Sequence, residues 1–204
     1  MTGVPGGAPT GRPPGSRPSL RPATPQDAAA IAEVFVAAWR AGYRGVVDDA
    51  VLDGLDVDRW TERWTDLLAQ PGLATVVATG GLEPPGVATV LGVARYGIDP
   101  APPGRPGPRS ADDGYLASLY VHPDAAGRGS AACCWSARWP TCVPPGAPPS
   151  SCGCSGTRRA RALYERYGFR STGVAWTDPA WGVPQLRYRR DPDHPLPSRA
   201  GATG

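Results

Sequence analysis

The stretch Tyr115-Leu116-Ala117-Ser118-Leu119-Tyr120-Val121-His122-Pro123-Asp124-Ala125-Ala126-Gly127-Arg128-Gly129 decides the fold. Its bulky residues Tyr115, Leu116, Leu119, Tyr120 and Val121 predict a strand. Pro123 stops it, because proline cannot donate to a ladder. Gly127-Arg128-Gly129 then makes a glycine turn. Where such a turn opens a helix, the free N–H groups and the helix dipole attract an anion. Glycine suits that place because a side chain would block close approach to the backbone. A lone G-x-G is common in structural turns; the strand in front of it makes this one informative.

Downstream, Ser130 to Gly156 shows neither helical nor strand periodicity. Order resumes at Arg158. Ala160, Leu163, Tyr164 and Tyr167 share a helix face that Gly168 closes. Thr172–Trp176 and Gln185–Arg189 are two final strand candidates. Upstream, Val87–Tyr96 and Ala74–Thr79 predict a hairpin around the turn-rich Gly80–Gly86. A helix from about Val57 to Ala69 puts Val57, Trp60, Trp64, Leu67 and Leu68 on one face, and Pro71-Gly72 ends it. Another begins at Thr24-Pro25-Gln26-Asp27, with Thr24 as N-cap, Pro25 at the first helical position and Asp27 in a capping-box place. Ile31, Val34, Phe35 and Ala38 form its buried stripe through about Ala41. Leu20–Ala23 is a short first strand.

The chain has 204 residues, enough for one core-forming domain with loose ends. Its 27 glycines and 26 prolines gather before residue 23, at 80–108, at 140–156 and after 191. The expected organisation is a disordered tail over 1–17, a domain over 18–190 and a second tail over 191–204. No apolar run approaches a membrane span, and no signal-peptide core is present, so a cytoplasmic location is expected. A net charge of +3 argues for neither nucleic acid nor membrane as partner. All 21 basic residues are arginine, and lysine and asparagine are absent. Both need A-rich codons, so the coding DNA is read as GC-rich. Cys133, Cys134, Cys142, Cys152 and Cys154 lie close together. Their spacing fits neither a paired zinc motif nor an even-numbered disulfide framework, and His122 and His194 lie outside them. No metal is expected.

Taken in order, these pieces resemble the GNAT family, the Gcn5-related N-acetyltransferases. The likeness is carried by Tyr115–Pro123, by Gly127-Arg128-Gly129 and by Arg161-Ala162-Leu163-Tyr164-Glu165-Arg166-Tyr167-Gly168-Phe169. The opening helix with Trp39, Tyr43 and Gly45 adds to it. The likeness spans about Leu20 to Arg190. It departs from the family at Ala126, where Gln or Arg is frequent, and at Thr157, where Asn is frequent; Ala131 fits the family's small residue. The resemblance implies an α+β (α/β) fold: a mixed, mostly antiparallel central sheet flanked by helices.

The same resemblance implies transfer of an acetyl group from acetyl-CoA to a primary amine of a small molecule or peptide. It implies two splayed strands with unpaired backbone groups around Leu119, Tyr120 and Val121 for the pantetheine arm. Gly127, Arg128, Gly129, Ser130 and Ala131 would hold the pyrophosphate. Tyr164 matches the family's acid, a phenol that is protonated at neutral pH and could protonate the leaving thiolate. Trp39 and Tyr43 could wall the amine pocket. Tyr115 stands where many relatives carry Glu, so the general base is not readable. His122 reads as a structural turn residue. Trp60 and Trp64 read as core, and no role is assigned to Trp176 or Trp181. Exposed final strands would allow a homodimer. The alternative function is a vestigial, non-catalytic acyl-CoA-binding protein.

The family places a helix and a strand where this chain has its cysteine- and proline-rich segment. Yet the spacing from Gly129 to Tyr164 is normal. A local frameshift over about 130–156 accounts for both facts. Read from the third base of the Ser130 codon, Cys133-Cys134 and Cys134-Trp135 each encode leucine under any codon choice. GC-rich wobble bases allow an amphipathic helix followed by an apolar strand. On that reading the cysteines are accidental, and the literal chain has its middle helix and strand disrupted.

Overall fold

Thr24 caps the first helical turn as the sequence predicts. Its N–H and Oγ1 both donate to Asp27 Oδ2, at 2.7 and 2.9 Å. Asp27 also takes a two-pronged pair of bonds from Arg21, each 2.7 Å. Pro25–Asp27 forms a single 3-10 turn that leads into helix α1, Ala28–Gly42. The structure, a computed structural model, describes residues 18–82, 88–98, 114–127, 131, 151–155, 158–178, 182–191 and 193. The expected tail over 1–17 and most of the one over 191–204 lie outside them.

Strands β1 (Ser19–Pro22), β2 (Leu73–Leu82), β3 (Ala88–Ile98), β4 (Gly114–Val121), β5 (Ser151–Ser155), β6 (Phe169–Thr177) and β7 (Pro184–Arg190) form one sheet. Their order is β1-β2-β3-β4-β5-β7-β6. Every neighbouring pair is antiparallel except β4 and β5. The predicted β2–β3 hairpin is present, with strands longer than the sequence suggested. The predicted helix at 57–69 is α3, Val57–Ala69. A short helix α2, Asp49–Asp53, precedes it and was not predicted, five residues being too few for a periodicity. Arg158–Arg166 forms α4.

Each face of the sheet has its own core. On one face, Ile31, Val34, Phe35 and Trp39 of α1 and Trp64 of α3 pack with Val77, Val90 and Val93. Trp60 is half-buried against the same cluster. On the other face, Tyr164 of α4 and Tyr167 just beyond it pack with Leu116, Cys152, Phe169 and Tyr188. Two arginines close helix ends. Arg40 donates to the carbonyls of Leu52, Asp53 and Leu55 at 3.2, 3.3 and 2.8 Å, tying the end of α2 to α1. Arg95, buried on β3, donates to Leu67 O and Gln70 Oε1 at the end of α3, both at 3.0 Å. Cationic donors suit these carbonyl ends, which have no intrahelical partner. Burial, and secondarily Arg63, push the Arg95 pKa down. Gly97 on β3 is required by close approach, since a Cβ there would clash with Gly72 O and Leu73.

The disrupted-strand expectation needs correction at Ser151–Ser155. This segment has no strand signature in sequence, yet it forms β5. Its backbone pairs with β7 from Ser151↔Arg189 to Ser155↔Gln185. Side-chain propensity gives way where ladder partners are supplied by the rest of the fold. Cys152 of β5 is buried in the second core and is not in a disulfide. Apart from Ala131, the residues between Gly127 and Ser151 lie outside those described.

The Arg21 guanidinium, with help from Thr24, holds the Asp27 carboxyl down at about 2, below its ordinary value. A folded-state pKa below the unfolded one gives stability that is present above about pH 4 and lost as pH falls through about 2. Arg21 is partly exposed, so the contribution is on the order of 1 kcal/mol. Asp27→Asn should therefore melt below the wild type near neutral pH, with the gap closing toward about pH 2. Thermal denaturation at several pH values checks this; a gap that persists undiminished in acid contradicts it.

Candidate active site

The parallel pairing of β4 with β5 is limited to Tyr115↔Ser151 and Leu116↔Cys152. Beyond Leu116 the two strands part. β5 continues with β7 on its other side, and β4 continues with β3. Among the described residues, nothing pairs with the β5-facing edge of β4 from Leu119 to Val121.

Hydrogen-bond parity tells which backbone groups face this opening. His122 N donates to Leu91 O at 2.9 Å, and the register continues as Val121↔Gly92, Tyr120↔Val93 and Leu119↔Ala94. In an antiparallel ladder, bonded and non-bonded pairs alternate. Tyr120 and Ser118 therefore turn their backbone groups toward β3, whereas Leu119 and Val121 turn theirs into the opening. The expected trio at this edge is thus two residues by backbone, with Tyr120 contributing its side chain instead. A register shift beside Arg95/Tyr96 gives β4 an extra residue, Ala117, against β3. Such a bulge reverses the facing of everything beyond it. This is why Leu116 and Leu119, three apart, both pack on the α4 side.

Tyr120 faces the α1 side. Its ring meets Phe35 edge-on, with centroids 5.0 Å apart. Trp39 and Tyr43 stack on each other at 4.3 Å and 11°. The two residues expected to wall the pocket are therefore together, one helical turn apart at the end of α1, beside Tyr120. Burial pushes the Tyr120 phenol pKa up. Hydrogen bonding with Trp39 and Ser118 works against that, and the Asp178 carboxylate reinforces it. Val183, at the β6–β7 turn, belongs to the core cluster against which Tyr120 packs. That turn is closed by Asp178 N to Val183 O at 2.9 Å and Gly182 N to Asp178 O at 2.8 Å. Val183 is buried in the α1-side core.

At the end of β4, Pro123–Ala125 forms a second 3-10 turn. His122 Nδ1 accepts from Asp124 N at 3.3 Å, a capping role. Gly127 follows with φ of 76°. No atom crowds a Cβ there, so glycine is needed for its backbone angle rather than for space. Arg128, Gly129 and Ser130 lie outside the described residues; Ala131 is half-buried. Tyr164 is buried on the α4 side, its ring 5.9 Å from Phe169 and 6.1 Å from Tyr188. It shares that core with Leu119, so it stands behind the open edge of β4.

Ser118, Asp178 and Val183 were not singled out from sequence. Ser118 was legible, two residues before Tyr120 on the same strand face. Asp178 and Val183 had no signal, because a turn after an exposed strand says nothing about where it lands.

No protein-family model matches the sequence, and no curated protein matches it. Solved structures do. An acetyltransferase from Corynebacterium glutamicum, described as histone acetyltransferase HPA2 and related, superposes with a TM-score of 0.60 at 20% identity, covering 88% of this chain and 98% of that one. A GCN5-related N-acetyltransferase from Rhodopseudomonas palustris gives 0.57 at 20%, covering 87% and 97%. The PaiA N-acetyltransferase from Thermoplasma acidophilum, solved with coenzyme A, gives 0.54 at 11%, covering 84% and 98%. The chain therefore has the GNAT acetyltransferase fold. No described helix is long and apolar enough to cross a membrane.

The Tyr120 environment is directly measurable. Difference absorbance titration of wild type against Tyr120→Phe should show the lost phenol ionising above the ordinary value of about 10. An ordinary or lower value contradicts its packing against the α1-side core.

Proposed function

We propose that the chain is an N-acetyltransferase that moves an acetyl group from acetyl-CoA to a primary amine of a small molecule or peptide. One observation carries this: the backbone groups of Leu119 and Val121 face an opening between parallel strands, with a glycine turn just beyond. An extended amide-bearing arm fits such an edge as an added strand would. Gly127, with Arg128, Gly129, Ser130 and Ala131, takes the pyrophosphate. Coenzyme A in the Thermoplasma acidophilum neighbour supports that ligand class.

The amine attacks the thioester carbonyl from the α1 side, where Trp39, Tyr43 and Tyr120 stand. Its nitrogen forms the new C–N bond, the C–S bond breaks, and the thiolate leaves. Tyr164 gives that thiolate its proton, and the proton shed by the amine passes to water. We assign no side chain as base. The coding frame over 130–156 is part of the proposal: the in-frame parent carries an apolar helix and strand there. Sequencing the coding DNA across Ser130–Gly156 tests it, and a confirmed literal frame contradicts it.

Titration calorimetry with acetyl-CoA and a thiol-release assay over an amine panel test the activity. Tyr164→Phe keeps the ring and its packing. It should lower turnover about a hundredfold and leave acetyl-CoA affinity unchanged. Gly127→Val should weaken acetyl-CoA binding. Unchanged turnover in Tyr164→Phe removes Tyr164 as the acid. Binding without thiol release favours the non-catalytic acyl-CoA-binding alternative.

A further inference from the structure

The α1 face of the sheet is covered unevenly. Helices α1 and α3 pack over the β2–β4 half. Over β5, β7 and β6, no described helix lies on that face. Side-chain alternation shows what this face presents. Leu186 and Tyr188 of β7 point into the α4-side core. Arg187 between them therefore points the opposite way, onto the face that no described helix covers.

Arg187 is half-buried, and its guanidinium makes no hydrogen bond or ion pair among the described residues. Only its backbone carbonyl is engaged, by Thr172 Oγ1 at 3.2 Å. Its register partner on β5 is Gly153. Glycine puts no side chain beside it on that strand. Gly153 is also the first β5 residue beyond the β4 ladder, where the opening starts. A cation with no ion-pair partner among the described residues thus stands one strand away from the splay, on the side from which an acceptor would enter. The Tyr120, Trp39 and Tyr43 rings bound the same side from the β4 direction.

No carboxylate pairs with the Arg187 guanidinium among the described residues, so its donors are available to an anion. Its fork of donors matches a carboxylate or phosphate. Resting on the acetyltransferase reading, we propose that the acceptor amine carries an oxyanion, a carboxylate or a phosphate, and that Arg187 binds it. Arg187 then acts in specificity, holding the far end of the substrate while the amine reaches the thioester.

The test uses the full chain, as wild type, Arg187→Gln and Arg187→Lys. Matched primary amines are 3-aminopropanoate, 2-aminoethyl phosphate and propylamine, which carries no oxyanion. Calorimetric binding to the acetyl-CoA-saturated protein is read together with kcat/KM for thiol release. Wild type should prefer an anionic amine. Arg187→Gln should cut that preference about 10- to 100-fold, leave propylamine and acetyl-CoA binding unchanged, and be partly rescued by Arg187→Lys. The two anionic amines distinguish carboxylate from phosphate. If wild type shows no preference for either, or if Arg187→Gln affects propylamine equally, the proposal fails while the acetyltransferase reading stands. If acetyl-CoA does not bind, that reading fails. Binding of the anionic amines to the protein alone then still decides Arg187: an Arg187-dependent preference upholds its role, and its absence overturns it.

Discussion

An interior strand that stops pairing on one side leaves polar backbone groups facing a gap. Each such group costs about 1–3 kcal/mol if it is buried with no partner. β4 accepts this at Leu119 and Val121 because its other edge is held by β3 through Val121 and on to His122. The parallel ladder to β5 is only two residues long, and β5 is held instead by β7. The sheet is thus continuous at one end and split at the other. The proposed acyl-donor edge, the aromatic cluster and the arginine-bearing face all take their places from that split.

The two cores make the split rigid. Phe35, Trp39 and Trp64 load the β2–β4 half from one face. Tyr164, Tyr167, Phe169 and Tyr188 load the β5–β7 half from the other. The Ala117 bulge lets one strand serve both, turning Leu119 to the second core and Tyr120 to the first. Without it, Tyr120 would face away from Trp39, and the wall beside the opening would not form. Arg40 and Arg95 hold α2 and α3 by their carbonyl ends, which fixes the helical side of that wall.

Much of this was legible in the residues. The capping box at Thr24, the stripe of Ile31, Val34 and Phe35, and the tryptophan face of α3 are local signals that structure respected. Strand ends drifted by a few residues, as ladders extend wherever a partner is present. β5 was not legible, since Ser-Cys-Gly-Cys-Ser has no strand pattern and its pairing is supplied from a distance. Within the site, the Gly127 turn and the aromatic pair Trp39 and Tyr43 were readable from motif and spacing. The parity that separates Leu119 and Val121 from Tyr120 depends on the bulge. The placement of Val183 and the side of the sheet on which Arg187 falls depend on where distant segments meet.

Residue-resolved amide hydrogen exchange, with and without acetyl-CoA, tests the central claim most directly. In the free protein, Tyr120 and Ser118 should exchange slowly, being tied to β3, and Leu119 and Val121 should exchange fast. Acetyl-CoA should slow Leu119 and Val121 and leave Tyr120 as it was. Protection of all four in the free protein, or no change at Leu119 and Val121 with saturating acetyl-CoA, would contradict the open edge as the acyl-donor site.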